Sequence, residues 1–291
     1  MKLNHVSQKK AVTQHWENEV CGTRYGDDYF NRRNYFQQIS NQRYLLENYI
    51  NKFAQFDKWK NKKILEIGLG TGSDFYNWVI NGARATGIDI TKSSVKLTKE
   101  RLIINGISSK QYSISIADAE MLPFCSDKFD LIYSYGVLHH TPNISLAVSE
   151  VFRVLKPGGE VKAMIYHVPS WTGWLLWLQH GFLRGRMGLS VKEVILNNLE
   201  SPGTKAFTLK EANDLFQSKG FKDIELKTRL SPSDLLLIKP SKKYQQSIYK
   251  IVWKLYPRWI VRIFGDRYGL ALLISAKKPK RSRRIRNSAN R

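Results

Sequence analysis

The chain has 291 residues, 42% of them hydrophobic, and a formal net charge of +23 from 47 Lys and Arg against 24 Asp and Glu. That length and composition suit one large α/β domain with additions. Its two cysteines, Cys21 and Cys125, exclude a disulfide framework or a thiolate zinc site. Residues 1–16 hold Lys2, Lys9 and Lys10 but no apolar run, so no secretory signal is expected and the compartment is expected to be reducing and cytoplasmic.

In chain order, residues 1–57 read as an N-terminal helical cap. Within it the spacing predicts a helix over 29–57, because Phe36, Ile39, Leu46, Ile50 and Phe53 fall on one face at steps of three and four. Arg43 shares that face, and a charge in an apolar stripe is costly unless paired. Its partner is either a carboxylate of a bound ligand or one within the protein. Residues 16–26 are expected to form a loop that folds over the site.

From Lys60 the pattern alternates strand and helix, which implies a parallel sheet with right-handed crossovers and helices on both faces. The first strand, 63–67, carries Glu66 and runs into Gly68-Leu69-Gly70-Thr71-Gly72-Ser73. Three alternating glycines let the backbone approach a ligand where a Cβ would collide. The third glycine comes one residue too early for the dinucleotide fingerprint, which argues against NAD or FAD. A helix over 73–80 stops at Asn81-Gly82. About 20 residues after the glycines a second strand, 84–88, ends at Asp89, placed to accept hydrogen bonds from a ribose diol.

Further strands are predicted at 111–116, 129–134 and 159–166, with a helix opening at Thr141-Pro142. A helix from Thr208 to Lys219, closed by Gly220, and strands near 221–229 and 269–276 complete the unit.

Four motifs lie in register over residues 60–168. They are the glycine turn with Asp89, then Ala117-Asp118-Ala119-Glu120-Met121-Leu122-Pro123-Phe124, then Phe129-Asp130-Leu131-Ile132-Tyr133-Ser134-Tyr135-Gly136-Val137-Leu138-His139-His140, and Arg153-Val154-Leu155-Lys156-Pro157-Gly158-Gly159. With them the chain resembles the class I methyltransferases that use S-adenosylmethionine (SAM), of the group that includes the ubiquinone and menaquinone biosynthesis enzymes. The resemblance implies a Rossmann-like, seven-stranded, mostly parallel sheet with an antiparallel seventh strand. The domain would span 58–278, with insertions at about 169–206 and 231–268.

The same resemblance implies a set of cofactor-binding residues: Glu66, Gly68, Gly70, Gly72, Asp89, Ile90, Asp118 and Ala119. The glycines would pass beneath the methionine portion, Asp89 would hold the ribose, Ile90 would cover the adenine and Asp118 would meet its amine. No metal is expected.

A methyl on a sulfonium is already activated, so positioning supplies much of the acceleration. A hydroxyl or acidic-carbon acceptor would also need a base. His139 and His140 follow the fourth strand at the end where ligands bind in this fold class and are the candidates. The alternative is that the pair only supports the turn; His167 and Tyr166 are further candidates.

The chain lacks an Asn/Asp-Pro-Pro-aromatic motif and a Pro-Cys nucleophile, which disfavours amino-methylating nucleic-acid enzymes and pyrimidine C5 enzymes. A small or lipid-like acceptor is expected: a quinone precursor, an isoprenoid or a sugar on a lipid carrier. The competing readings are an RNA methyltransferase and a non-catalytic SAM-binding scaffold.

Charge is uneven, with 26 Lys and Arg against 9 Asp and Glu over residues 160–291. The tail 279–291 is expected to be basic and disordered. Trp171, Trp174, Leu175, Trp177, Leu178, Phe182 and Leu183 suggest a short apolar helix that walls an acceptor pocket, lies at a bilayer interface or is simply core. Lys250, Lys254, Arg258 and Arg262 fall at i, i+4 steps among apolar residues, with Pro257 expected to break the helix. Together these features predict peripheral attachment to an anionic membrane surface, at its inner face.

Overall fold

A computed structural model describes residues 4–238 and 254–281. Strands β1 (Lys63–Ile67), β2 (Arg84–Asp89), β3 (Tyr112–Ile116), β4 (Phe129–Tyr135) and β5 (Leu155–His167) alternate with helices α4 (Ser73–Ile80), α5 (Lys92–Ile104) and α6 (Ile144–Val154). The two-residue β6 (Ala206–Phe207), helix α9 (Leu209–Ser218), β7 (Lys222–Arg229) and β8 (Ala271–Lys277) follow. The sheet order is β3-β2-β1-β4-β5-β8-β7, with β6 paired to β5. Strand β8 runs antiparallel to both β5 and β7, and the other pairings are parallel.

The expected seven strands are therefore all present, and β6 is an eighth. It forms because the end of the first insertion returns beside β5, pairing Tyr166 with Ala206 and His167 with Phe207.

β1 is central and covered on both faces, which is why it reads as a nearly unbroken apolar run; Ile64, Leu65 and Ile67 are buried. On one face α6 and α9 lay Ala147, Val148, Val151, Ala212 and Phe216 against Leu65, Ile132 and Ile274. On the other, α4, α5 and α3 (Ile50–Ala54) place Phe75, Trp78, Leu102 and Ile50 around Ile64 and Tyr133.

Three expected boundaries move. The helix over 29–57 is two helices, α2 (Arg32–Leu46) and α3, because the chain bends at Glu47, whose carboxylate turns inward to accept the Tyr135 hydroxyl at 2.8 Å. Helix α6 starts after Pro142, where the Asn143 side chain accepts the Leu146 amide at 3.1 Å and takes the capping role expected of Thr141. Residues 16–26 are only partly loop: helix α1 (His5–Asn18) continues to Asn18, and a single 3₁₀ turn spans Thr23–Tyr25. The first insertion forms α7 (Trp171–His180) and α8 (Val191–Asn198). In the second, α10 (Arg258–Ile263) begins directly after Pro257, as the proline demands. Lys250 and tail residues 282–291 lie outside the described residues.

Candidate functional site

The order β2-β1-β4 reverses direction between β1 and β4, which opens a crevice at the carboxyl ends of the strands. The glycine turn lines it. Gly68, Gly70 and Gly72 have φ values of +85°, +53° and +73°, a region that side chains disfavour. Their surroundings differ. A Cβ on Gly68 would come within 2.1 Å of Val137 Cγ2, and one on Gly72 within 2.7 Å of Thr98 Cγ2. At Gly70 it would meet only the Cys21 carbonyl oxygen, at 3.7 Å. At Gly68 and Gly72 the protein's own packing already excludes a side chain, whereas at Gly70 the Cβ position is open. Arg101 steadies the turn from behind by donating from Nε to the Thr71 carbonyl at 2.7 Å.

Asp89 at the end of β2 is held by four hydrogen bonds from the protein. Its Oδ2 accepts the Leu69 and Gly70 amides at 2.8 and 3.3 Å, and its Oδ1 accepts the Thr91 amide and hydroxyl at 2.9 and 2.8 Å. One carboxylate therefore ties the glycine turn to the start of α5. Glu66 is buried and its Oε2 has no hydrogen-bond partner among the described residues. Burial, reinforced by Asp74, pushes its carboxyl well above the usual range. An orphaned polar atom beneath an open glycine cradle fits a cofactor with polar groups.

Asp118, Ala119 and Ile90 flank this crevice, with Ala119 buried and the other two half-buried. Asp118 is engaged by α1: Lys9 Nζ lies 2.5 Å from its Oδ2 and 2.6 Å from Glu120 Oε2. At the other end of α1, Glu17 accepts the Lys92 and Ser93 amides at 2.9 and 3.2 Å. Helix α1 thus bridges the edge of the crevice from Asp118 to the start of α5. Nothing in the local sequence marks Lys9 for this place.

The histidine pair lies at the end of β4. Gly136, at φ +76°, turns the chain into a 3₁₀ turn over Leu138–His140. His139 is fully buried against the Tyr166 ring, with centroids 3.9 Å apart, and neither ring nitrogen has a hydrogen-bond partner among the described residues. Burial, with His140 and Lys205 adding to it, holds its pKa well below 6.5, so it is neutral. His140 Nδ1 lies 2.8 Å from Ser201 Oγ and 3.0 Å from Thr204 Oγ1. Thr204 donates its hydroxyl hydrogen to the Ser201 carbonyl at 2.7 Å, so its Oγ1 meets the imidazole as an acceptor. On the other side of the ring Nε2 faces Glu200 Oε2 at 3.3 Å.

Glu200 also accepts the Tyr166 hydroxyl at 2.7 Å and sits at φ +53°, a costly backbone state for a glutamate. Trp16 meets His140 edge-on at 5.2 Å. Donor atoms of His139, His140 and Glu200 lie within 4.8 Å of one another, a spacing a cation could bridge. Glu200 was not anticipated, because 60 residues of chain separate it from His140 and no local pattern distinguishes it.

Two other candidates are occupied structurally. His167 Nδ1 lies 3.1 Å from the Gly269 carbonyl, which places it in the β5–β8 framework. Arg43 makes a two-pronged contact with Asp74, at 2.9 and 2.5 Å, and Asp74 also accepts the hydroxyls of Tyr44 and Tyr133 at 2.8 and 2.9 Å. The partner of the charge in the apolar stripe is thus a protein carboxylate.

Residues 65–162 match the family described as "Methyltransferase domain". Sterol 4-C-methyltransferase of Caenorhabditis elegans is 34% identical over 101 residues, covering 35% of this chain and 30% of that protein. The ubiquinone/menaquinone biosynthesis C-methyltransferase of Bartonella bacilliformis is 37% identical over 101 residues, covering 33% and 38%. The chain therefore spans about a third of the length of these relatives. The phosphoethanolamine N-methyltransferase 2 of Haemonchus contortus, solved with S-adenosyl-L-methionine, superposes with a TM-score of 0.56 at 20% identity over 82% of this chain and 53% of that one, a likeness of fold.

Proposed function

Because residues 65–162 form a class I SAM-dependent methyltransferase domain, we propose that this chain methylates a hydroxyl or an acidic carbon of a small, lipid-like acceptor. The observation that carries the choice of acceptor is the Tyr166–Glu200–His140 cluster at the end of β4, which sets a carboxylate and an imidazole together as a proton-accepting group. An amine that is already neutral would need no such group. The named activities of the sterol and quinone relatives support a lipid-like acceptor.

SAM supplies an electrophilic methyl on a sulfonium sulfur when bound. The chain's residues would hold it by the open cradle at Gly70, by Asp89 toward the ribose and by Asp118 toward the adenine. Gly68 and Gly72 shape the turn, Glu66 lies beneath it, and Ile90 and Ala119 flank the adenine side. Helix α1 and Trp16 cover the edge and exclude water, which strengthens polar contacts within. The acceptor's proton would pass to Glu200 Oε2, whose position is set by Tyr166 and by His140 Nε2. His140 is in turn oriented by Ser201 and Thr204. His139, neutral and buried, packs against Tyr166 and keeps that ring in place.

The test is a labelled-methyl transfer screen against lipid extract, RNA and polar metabolites, followed by kinetics on the acceptor found. Glu200→Gln and His140→Ala should each lower kcat by roughly 10² to 10⁴ with KM little changed, the usual range for losing a general base. Near-normal turnover in both would leave positioning as the whole of catalysis, and label appearing only in RNA would refute a lipid-like acceptor.

A further inference from the structure

Helix α7 and the turn that follows α10, far apart in the chain, are joined by an aromatic seam. Trp171 meets Phe264 at 5.7 Å between centroids and Trp174 meets Tyr268 at 5.0 Å, while within the first insertion Trp177 meets Phe182 at 6.3 Å. The seam anchors the two segments to each other, yet much of their apolar surface points outward. Phe182 is 51% exposed, Leu183 70%, Trp259 66% and Ile263 71%, with Met187 and Phe264 also exposed. Large apolar side chains clustered this way on a folded surface mark a place that is covered by something.

The charges around the patch say what covers it. Arg184, Arg186, Lys254, Arg262 and Arg267 are all exposed there. The sequence has no Asp or Glu between residues 171 and 192, and the one carboxylate between residues 254 and 268, Asp266, is held by Arg229 at 2.5 Å. The i, i+4 cation stripe expected for this region is revised: Arg258 faces inward and donates to the carbonyls of Leu235 and Leu236 at 2.9 and 3.3 Å, while Lys254 and Arg262 remain outward. A rim of cations around protruding Trp, Phe, Leu and Ile is complementary to lipid headgroups over acyl chains, where tryptophan settles at headgroup depth. No described helix is long and apolar enough to cross a bilayer. A phosphate backbone would satisfy the cations but not the aliphatic side chains between them.

We propose that the joined surface of α7, the turn Phe182–Arg184 and α10 is a docking face for an anionic bilayer. Helix α7 starts four residues after His167 ends β5, and its Leu176 packs against the cluster that contains Tyr166.

The test is co-sedimentation of the full chain with phosphatidylglycerol/phosphatidylcholine vesicles and with pure phosphatidylcholine vesicles, at low and high salt. It needs no methyl acceptor, so its result is separate from that of the methyl-transfer screen. The wild-type chain should bind the anionic vesicles at least about tenfold better than neutral ones, and salt should weaken the binding. Leu183→Ser with Trp259→Ser and Ile263→Ser, and separately Arg184→Glu with Arg186→Glu and Arg262→Glu, should each reduce binding at least about tenfold. Both sets should keep wild-type SAM affinity and melting temperature, because these side chains are exposed. Wild-type protein left in the supernatant with every vesicle overturns the proposal, as do variants that bind like wild type. Retardation of RNA without vesicle binding would assign the cations to nucleic acid instead.

Discussion

Replacing Asp89 with alanine should damage both the protein and its cofactor site, and the two losses can be measured apart. The carboxylate accepts four hydrogen bonds, two of them from the Leu69 and Gly70 amides of the glycine turn and two from Thr91. A hydrogen bond to a charged acceptor contributes about 1.5–3 kcal/mol, and bonds sharing one group do not add. We expect a loss of about 2–4 kcal/mol in the free protein, seen as a fall in Tm of roughly 5–10 °C. Loss of the ribose partner should weaken SAM binding by a further 1.5–3 kcal/mol or so, roughly 10- to 150-fold. Thermal unfolding with and without SAM, with calorimetric titration of SAM and its demethylated product, measures both. Asp89→Asn, which retains one carbonyl oxygen, should fall between. A lowered Tm with unchanged affinity would make Asp89 a brace and not a ligand; an unchanged Tm would refute the bracing argument.

Gly70→Val should abolish SAM binding and also lower stability, since φ +53° disfavours a branched side chain although its Cβ position is open; calorimetry that still detects binding would remove the cradle assignment. Arg43→Ala strips the buried Asp74 of its cation and should cost about 3–5 kcal/mol in urea unfolding. In the wild type, burial alone would raise the Asp74 carboxyl, but Arg43, Tyr44 and Tyr133 outweigh it and hold it below the ordinary value. Its stabilisation is therefore complete above the unfolded value of about 3.9 and is lost as pH falls through the folded one. Arg43→Ala should show the opposite trend on acidification, because protonation then relieves a buried charge; parallel stability profiles from about pH 7 to about pH 3 would contradict this. A chelator should leave methyl transfer unchanged, because the proposed proton transfer to Glu200 uses no metal; inhibition reversed by added zinc would make His139, His140 and Glu200 a metal site.

The strands, the glycine turn and the Asp89 spacing were legible in the chain itself, because they depend on local properties: apolar runs, glycine's tolerance of positive φ, and the length of one strand–helix–strand unit. So was the break at Pro257, a matter of one ring and one missing amide hydrogen. What tertiary structure alone decided were the partners. Lys9 reaches Asp118 across 109 positions of sequence, and Arg43 reaches Asp74 across 31. Glu200 comes to His140 because the return of the first insertion beside β5 places the 200–204 turn against the histidine ring. The glycines divide the same way: their left-handed backbone follows from the turn, but only packing shows that Val137 and Thr98 fill the space at Gly68 and Gly72 and leave Gly70 open. Local sterics are written residue by residue, whereas the pairing of distant charges depends on which faces the sheet and its insertions bring together.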